Sequence, residues 1–135
     1  EMCIRDSYYI DKIRRDEKLL DLLRTAKQTP LKVSVCTGGV LFGEVGFLQG
    51  LRATTHPNAL RMLEPMCGRV VRERVVDEGD VITAGGVTSA IDAGLHVVKR
   101  LAGADVHDKI AVQMDYRTPF LAFKAGEKRF DALME

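Results

Sequence analysis

The sequence lacks the features that mark a disulfide-rich or membrane-spanning protein. It contains no tryptophan and three cysteines, Cys3, Cys36 and Cys67. This odd number fits neither a disulfide framework nor a metal-ligand spacing, and it suits a reducing compartment. No apolar run approaches the length that crosses a bilayer, and the first residues lack the hydrophobic region of a secretory signal. We therefore expect a cytoplasmic protein that uses neither a membrane nor a metal.

The chain also lacks an excess of charge of either sign. Its 20 basic and 19 acidic residues leave a formal net charge of +1, and they are mixed along the sequence. Such mixing offers no basic patch to nucleic acid or to an anionic membrane. With 135 residues and 46% hydrophobic content the chain can bury one modest core, so we expect one domain.

Strand-like and helix-like segments alternate along the chain. Apolar residues from Asp11 to Lys27 are spaced as in an amphipathic helix, and β-rich runs at 69–76 and 80–83, joined by a turn, predict a hairpin or two neighbouring strands. Apolar positions after Thr88-Ser89 predict a long helix that ends at Gly103. This alternation indicates an α/β protein with a largely parallel sheet that is covered on both faces.

Around Cys36 a strand, a sharp turn and a helix follow one another directly. Val33 and Val35 predict a short buried strand, Thr37-Gly38-Gly39 makes the turn, and a helical pattern begins at Val40. This order is typical of a nucleophile elbow, in which glycines let the backbone come close to its neighbours. Unpaired N–H groups at the start of the helix would favour the thiolate. The alternative is a cysteine that is only a small buried hydrophobic residue.

Three separated motifs stand out: Cys36-Thr37-Gly38-Gly39, the segment Gly46–Pro57 and the segment Ile82–Asp92. Together they resemble the DJ-1/PfpI family of class I glutamine amidotransferase-like proteins. The resemblance runs from about Leu19 to Phe120, and it implies the flavodoxin-like three-layer α/β sandwich of that family. The threonine after the cysteine most resembles the isocyanide hydratase branch. The protease-like branch has a histidine at that place, so the sequence argues against a peptidase.

The resemblance also implies that parts of the family fold are missing. Family members begin with strands and helices that carry an acidic residue, which hydrogen-bonds the cysteine, and a glycine-rich turn of the oxyanion pocket. Neither has a counterpart in residues 1–31. We therefore interpret the chain as an N-terminally truncated fragment. Residues 1–10 are a non-native or disordered lead, 11–120 a partial DJ-1/PfpI domain and 121–135 a C-terminal tail.

Three residues are candidates for the chemistry. Cys36 is the candidate nucleophile, and the backbone N–H of Thr37 would point towards an oxyanion or a developing anionic carbon. The alternative for Thr37 is a hydroxyl that caps the elbow helix. His56 lies in a turn that the family brings near the cysteine, where an imidazole could hold the thiolate or move a proton. A lone histidine in a turn is, however, more often structural.

Other polar residues in these motifs have structural interpretations. Asn58 is expected to cap the helix that follows His56-Pro57, and Thr88 and Asp92 to cap the long helix and complement its dipole. Cys67 has no elbow around it and is expected to be inert.

The resemblance implies a cysteine-dependent hydro-lyase. The thiolate of Cys36 would attack the carbon of an isocyanide, and water would hydrolyse the resulting thioimidate to an N-formamide. This reaction takes a small-molecule substrate and requires no cofactor, and the intact family member would be a homodimer that binds no nucleic acid through this domain alone. Two alternatives stay open: the ligand-sensing domain of an AraC-type transcription regulator, and a DJ-1-like glyoxalase or stress-response protein.

Overall fold

The computed structural model describes residues 9–116. The strands are β1 (Lys32–Val35), β2 (Arg52–Ala53), β3 (Arg69–Val70), β4 (Val75–Asp77) and β5 (Val81–Ala84). The α-helices that lie wholly within this range are α1 (Glu17–Thr25), α2 (Gly38–Glu44), α3 (Leu60–Leu63), α4 (Ser89–Ala102) and α5 (Ala104–Gln113). Short 3-10 helices occupy Ala26–Gln28, Pro57–Ala59 and Glu64–Met66.

The described chain divides into two compact units between Ala93 and Gly94, and the strands and the elbow belong to the first of them. Between residues 9 and 116, no helix combines the length and the apolar character that crossing a bilayer requires. The predicted boundaries of the lead and the tail fall in or next to residues outside the described range, and they stay predictions.

Two small sheets form the frame of the first unit. In the larger sheet, with order β1-β5-β4, β1 pairs with β5 in parallel and β4 pairs with β5 antiparallel. The predicted hairpin is therefore confirmed, and Gly79 gives its turn a positive φ of 93°. The predicted run 69–76 is not one strand, because β3 leaves to pair in parallel with β2. The hydrogen bonds of β2 and β3 thus hold the segment before His56 in place.

Strand β5 lies at the centre of the larger sheet, and all four of its residues are buried. One apolar cluster joins Val81 of β5 to Leu48, Ala53 and Leu63. A second cluster contains Ile10, Val40 and Ala59 and includes the buried side of α2. Burial of these side chains against α2 and α3 supplies the apolar contact that positions the elbow helix over the sheet.

The predicted burial of β1 is wrong. Lys32 and Ser34 are the buried residues, whereas Val33 is 39% exposed. The turn into α2 covers the face that carries Ser34, since a Cβ on Gly38 would lie 3.8 Å from the Ser34 Cβ. The opposite face, which carries Val33, is only partly covered within residues 9–116. Side chains alternate between the two faces of a strand, so Lys32 and Ser34 share the buried face and Val33 lies on the other.

The continuous helix predicted from Asp11 to Lys27 is also wrong. Residues 9–13 are helical, and a new helix, α1, begins after Asp16. The Asp16 carboxylate accepts hydrogen bonds from the backbone N–H groups of Lys18 and Leu19, which is the geometry of an N-cap. An aspartate within the apolar pattern therefore restarts the helix instead of lying on its polar face. The long helix α4 ends as predicted, with Gly103 at a φ of 89°.

Candidate functional site

The elbow places Cys36 between β1 and α2 with a φ of 57°, in the left-handed region. A residue with a side chain pays about 1–3 kcal/mol there, so the surrounding structure must hold it. The Cys36 N–H donates to the carbonyl oxygens of Ala84 (3.1 Å) and Gly85 (2.8 Å). Its carbonyl oxygen accepts from the Thr55 hydroxyl at 2.6 Å and from the Gly39 N–H at 3.3 Å. Both sides of the residue are thus fixed, and the predicted strand, turn and helix are confirmed.

The two glycines of the elbow differ in what they allow. A Cβ on Gly39 would lie 3.0 Å from the Thr54 carbonyl oxygen and 3.2 Å from the side chain of Thr55. A Cβ on Gly38 would meet only the Ser34 Cβ, at an ordinary contact distance of 3.8 Å. Close approach of the backbone therefore favours glycine at the second position, whereas the first has room for a side chain.

Thr37 precedes the first residue of α2, and its side chain makes no capping hydrogen bond. The predicted capping role of its hydroxyl is therefore wrong. Within residues 9–116 the Thr37 N–H also has no hydrogen-bond acceptor. This free donor is directly adjacent to the half-buried thiol of Cys36, and its role towards an oxyanion stays a prediction.

His56 caps the 3-10 helix that starts at Pro57. Its Nδ1 accepts a hydrogen bond from the Asn58 N–H at 3.2 Å, so the predicted cap by Asn58 is wrong. Because Nδ1 is the acceptor, the neutral ring carries its proton on Nε2. A Cβ on Gly86 would lie 3.4 Å from the His56 Cδ2, so glycine leaves room for the ring at the end of β5.

The structure does not join His56 to Cys36 directly. In the described part of the chain no hydrogen bond links the two side chains. They are linked through Thr55, which precedes the histidine and binds the cysteine carbonyl. The predicted catalytic roles of Cys36, Thr37 and His56 therefore stay predictions.

An open cavity of about 430 Å³ borders the elbow. It is lined by the segment from Thr54 to Pro57 with Leu60, by Arg72 to Arg74, and by Gly85 to Ser89. Thr55 and Gly85 line this cavity and also bind the backbone of Cys36. The cavity is therefore next to Cys36, although Cys36 is not part of its wall.

Arg74 is a residue of this region that sequence reasoning missed. Its guanidinium donates to Asp92 at 2.5 Å and to the Thr88 hydroxyl at 3.2 Å, and its carbonyl accepts from the Gly85 N–H at 3.0 Å. Through these bonds Thr88, directly before α4, and Asp92, in its first turn, connect the start of that helix to the residue before β4. No local pattern signals this, because the partners are far apart in sequence.

Cys67 has a different environment. Partial burial in an apolar cluster raises the pKa of its thiol, so the thiolate is disfavoured. For metals, residues 9–116 contain no group of three His, Cys, Asp or Glu side chains that could hold an ion.

Two curated proteins are similar to this chain over part of their length. Isonitrile hydratase of Pseudomonas putida is 37% identical over 127 residues, which cover 93% of this chain and 55% of that protein. Protein DJ-1 homolog A of Arabidopsis thaliana is 26% identical over 76 residues, or 56% of this chain and 19% of that protein. The chain thus spans about half, or less, of the length of these curated relatives.

Solved structures share the fold. A ThiJ/PfpI family protein from Pseudomonas syringae superposes with a TM-score of 0.72 at 28% identity, over 84% of this chain and 47% of that one. DJ-1beta of Drosophila melanogaster gives 0.69 at 22% identity, over 81% of this chain and 59% of that one. The predicted α/β fold is therefore confirmed. The DJ-1/PfpI family model matches residues 9–100, across both sheets, the elbow and most of α4, and the chain belongs to that family.

Proposed function

We propose that the complete protein is an isonitrile hydratase, an enzyme that converts an isonitrile (isocyanide) to an N-formamide, with Cys36 as nucleophile. The observation that carries this proposal is the left-handed Cys36, followed by a Thr37 N–H that has no acceptor within residues 9–116, in a chain 37% identical to an isonitrile hydratase. The 37% identity to an isonitrile hydratase supports an enzyme over a sensor domain.

In this proposal the thiolate of Cys36 attacks the terminal carbon of the isonitrile and forms a C–S bond. The carbon takes up one proton, which gives a thioimidate. Water then adds to that carbon, the C–S bond breaks, and the N-formamide leaves while the thiol is regenerated. Thr37 supplies an N–H next to the sulfur, where negative charge develops during both additions. The proton donor for the first step is the acidic residue that the family carries before the elbow.

His56 has a restricted role in this scheme. Its Nδ1 is occupied by the Asn58 N–H, so the neutral ring can only present the Nε2–H to the cavity that it lines. An imidazole in this tautomer donates a hydrogen bond and does not accept a proton without breaking its cap. We therefore assign His56 to orienting the substrate or a water molecule, with the covalent step left to Cys36.

The decisive experiment measures formamide release by the complete protein. Cys36→Ala is expected to abolish turnover because no covalent intermediate can form. Cys67→Ala serves as the matched control and is expected to retain wild-type turnover, since that thiol lies outside the elbow. Circular dichroism confirms that each variant is folded. Wild-type turnover by folded Cys36→Ala would refute the nucleophile assignment.

Two substitutions at His56 separate chemistry from capping. An asparagine is itself a good N-cap, so His56→Asn keeps the acceptor for the Asn58 N–H while it removes the imidazole. His56→Ala removes both. We expect both variants to lose about 10²-fold in turnover, within the range of acid-base and orienting groups, without complete inactivation. Wild-type activity in His56→Asn and loss in His56→Ala would reduce the histidine to a cap.

DJ-1 homologues also match the chain, so one further outcome is specified. If the folded wild-type protein hydrates no isonitrile in a series of small alkyl and aryl compounds, the hydratase proposal fails. Formation of a hydroxy acid from an α-oxoaldehyde would then favour the glyoxalase alternative. Binding of a small molecule without turnover would favour the sensor domain.

A further inference from the structure

The backbone of Cys36 is held by two kinds of group. Its N–H is bound by the backbone carbonyls of Ala84 and Gly85, which no substitution can remove. Its carbonyl oxygen is bound by a side chain, the Thr55 hydroxyl, at 2.6 Å, and by the Gly39 N–H at a longer 3.3 Å. The stronger contact to the carbonyl therefore depends on the identity of one residue.

Thr55 is well placed to make this contact rigid. Its side chain is 2% exposed and packs against the second elbow glycine, where a Cβ would come within 3.2 Å of both the Thr55 Cβ and Oγ1. A β-branched side chain that is buried in this way has little freedom at χ1. The hydroxyl is therefore fixed relative to the elbow and is not an adaptable surface donor.

We infer that Thr55 is a positioning residue of the active site, whose hydroxyl fixes the plane of the peptide group between Cys36 and Thr37. The carbonyl that it binds and the N–H of Thr37, which has no acceptor in the described part of the chain, are the two ends of that one peptide group. A donor on the oxygen polarises the group and strengthens its N–H as a donor. The same bond keeps Cys36 left-handed, which sets the direction of its side chain.

The inference rests on a reactive Cys36 but does not depend on the isonitrile as substrate. Its test is the rate at which iodoacetamide alkylates Cys36 in the complete protein at neutral pH, measured by peptide mapping. Thr55→Val is expected to slow this alkylation about tenfold, the typical effect of one lost hydrogen bond. Thr55→Ser keeps the donor and is expected to remain within about threefold of wild type.

Thr83→Val is the matched control. Thr83 is 1% exposed, and its hydroxyl accepts a hydrogen bond from the Thr54 N–H, so this variant also loses a buried hydroxyl contact in the same region. It does not touch the Cys36 carbonyl and is expected to leave alkylation of Cys36 within about threefold of wild type. Cys67 reports folding in every sample, because its raised pKa keeps it slow in the native state.

Several results would overturn the inference. The inference is wrong if folded Thr55→Val is alkylated at Cys36 at the wild-type rate. It is also wrong if Thr55→Ser or Thr83→Val slows this alkylation as much as Thr55→Val does. If Thr55→Val does not fold, Thr55→Ala replaces it and is compared with Thr55→Ser in the same way. If neither hydroxyl-free variant folds, the hydroxyl is a folding requirement and its positioning role is refuted. Failure of isonitrile hydration leaves each of these outcomes unchanged, so the two proposals are tested separately.

Discussion

At the scale of single residues, the elbow has a strained backbone conformation at Cys36 and close contacts with neighbouring segments at Gly39. Cys36 has a φ of 57°, and three residues beyond it the chain passes so close to Thr54 and Thr55 that a side chain hardly fits at Gly39. The strain is held by hydrogen bonds from two distant segments. Substitutions in the elbow should therefore act through packing against those segments more than through helix propensity.

The two elbow glycines allow a direct test of this view. Gly39→Ala is expected to lower the free energy of unfolding by about 1–3 kcal/mol, because its Cβ would come within 3.0 Å of a backbone oxygen that cannot move away easily. Gly38→Ala is expected to stay within about 1 kcal/mol of wild type, since its Cβ has ordinary contacts. Urea unfolding of both variants, followed by circular dichroism, measures the difference. Equal stability of the two variants would contradict the packing argument.

Single residues were predictable where their signal is local. The order of valines, Cys36 and glycines is sufficient to predict the elbow, because a strand, a turn and a helix each have a short-range pattern. Thr55 and Arg74 were not predictable, since their partners are far away in the sequence. The cap at His56 was missed for a different reason: an imidazole Nδ1 can take the place of the usual Asn or Asp oxygen.

At the scale of secondary-structure elements, a buried charge connects the start of β1 to the hairpin. The Lys32 side chain is 5% exposed, and its ammonium binds the Asp80 carboxylate at 2.8 Å and the Thr29 carbonyl at 2.9 Å. It also lies 5.7 Å from the centre of the Phe47 ring. These contacts replace the hydration that the ammonium loses on burial, as a buried charge requires.

The partner of this lysine gives a prediction with a defined pH dependence. The hydrogen bond from Lys32 holds the pKa of Asp80 below its usual range. Because the folded pKa is the lower one, the pair stabilises the protein above the unfolded pKa of about 3.9 and loses this effect as the pH falls through the folded pKa. Asp80→Asn is expected to cost about 1 kcal/mol at pH 7, since solvent around the exposed carboxylate screens the pair. The difference from wild type should disappear in acid.

An exposed ion pair serves as the control for that experiment. Asp21 lies 2.6 Å from Arg24 on α1, with side chains 72% and 46% exposed. Asp21→Asn is expected to leave stability nearly unchanged, because solvent screens this exposed pair. Urea titrations of both variants at pH 7 and at low pH provide the comparison. An Asp80→Asn variant that is no less stable than Asp21→Asn at neutral pH would show that the buried lysine does not depend on its carboxylate.

Elements were predicted correctly where the periodicity is strong and the ends carry a clear signal. The hairpin of β4 and β5 and the end of α4 at Gly103 are of this kind. The segment before the elbow was predicted as one continuous helix, because charges between apolar residues suit a solvent-exposed helix face. Asp16, however, is both such a charge and a potential cap, and only the backbone conformation decides between them.

At the scale of the whole molecule, β1 has an uncovered side. No strand within residues 9–116 pairs with its outer edge, and Val33, whose side chain projects from one face of this strand, is 39% exposed. A strand edge that carries β-branched apolar residues pairs readily with other chains. We expect the 135-residue chain by itself to aggregate and to lack enzymatic activity. This expectation is contradicted if the isolated chain is a monomer in light scattering and also unfolds in a cooperative transition.

Val33→Lys tests whether the edge is the cause. A charge on an exposed edge strand opposes pairing, so this variant of the isolated 135-residue chain is expected to remain soluble at several-fold higher concentration. Leu22→Lys is the matched control, because Leu22 is 65% exposed but lies on helix α1. If Leu22→Lys improves solubility as much as Val33→Lys, general surface polarity and not the strand edge controls aggregation.

The fold of the whole molecule was predictable from three motifs because each of them lies at a place where the backbone needs special residues. The elbow, the Thr-Thr-His-Pro turn and the end of β5 meet around Thr55 and Gly85. The burial of β1 was not predictable, since valines alternate with Lys32 and Ser34 and either face could have been the inner one.

The hydrogen bonds at Cys36 also have a consequence for the order of folding. The residues that bind its backbone, Thr55, Ala84 and Gly85, are synthesised well after it, and contacts between distant segments form slowly. A nascent chain that has not yet released β5 from the ribosome can form neither bond to the Cys36 N–H. The left-handed conformation of Cys36, on which the proposed nucleophile depends, is therefore fixed only after most of the domain has been synthesised.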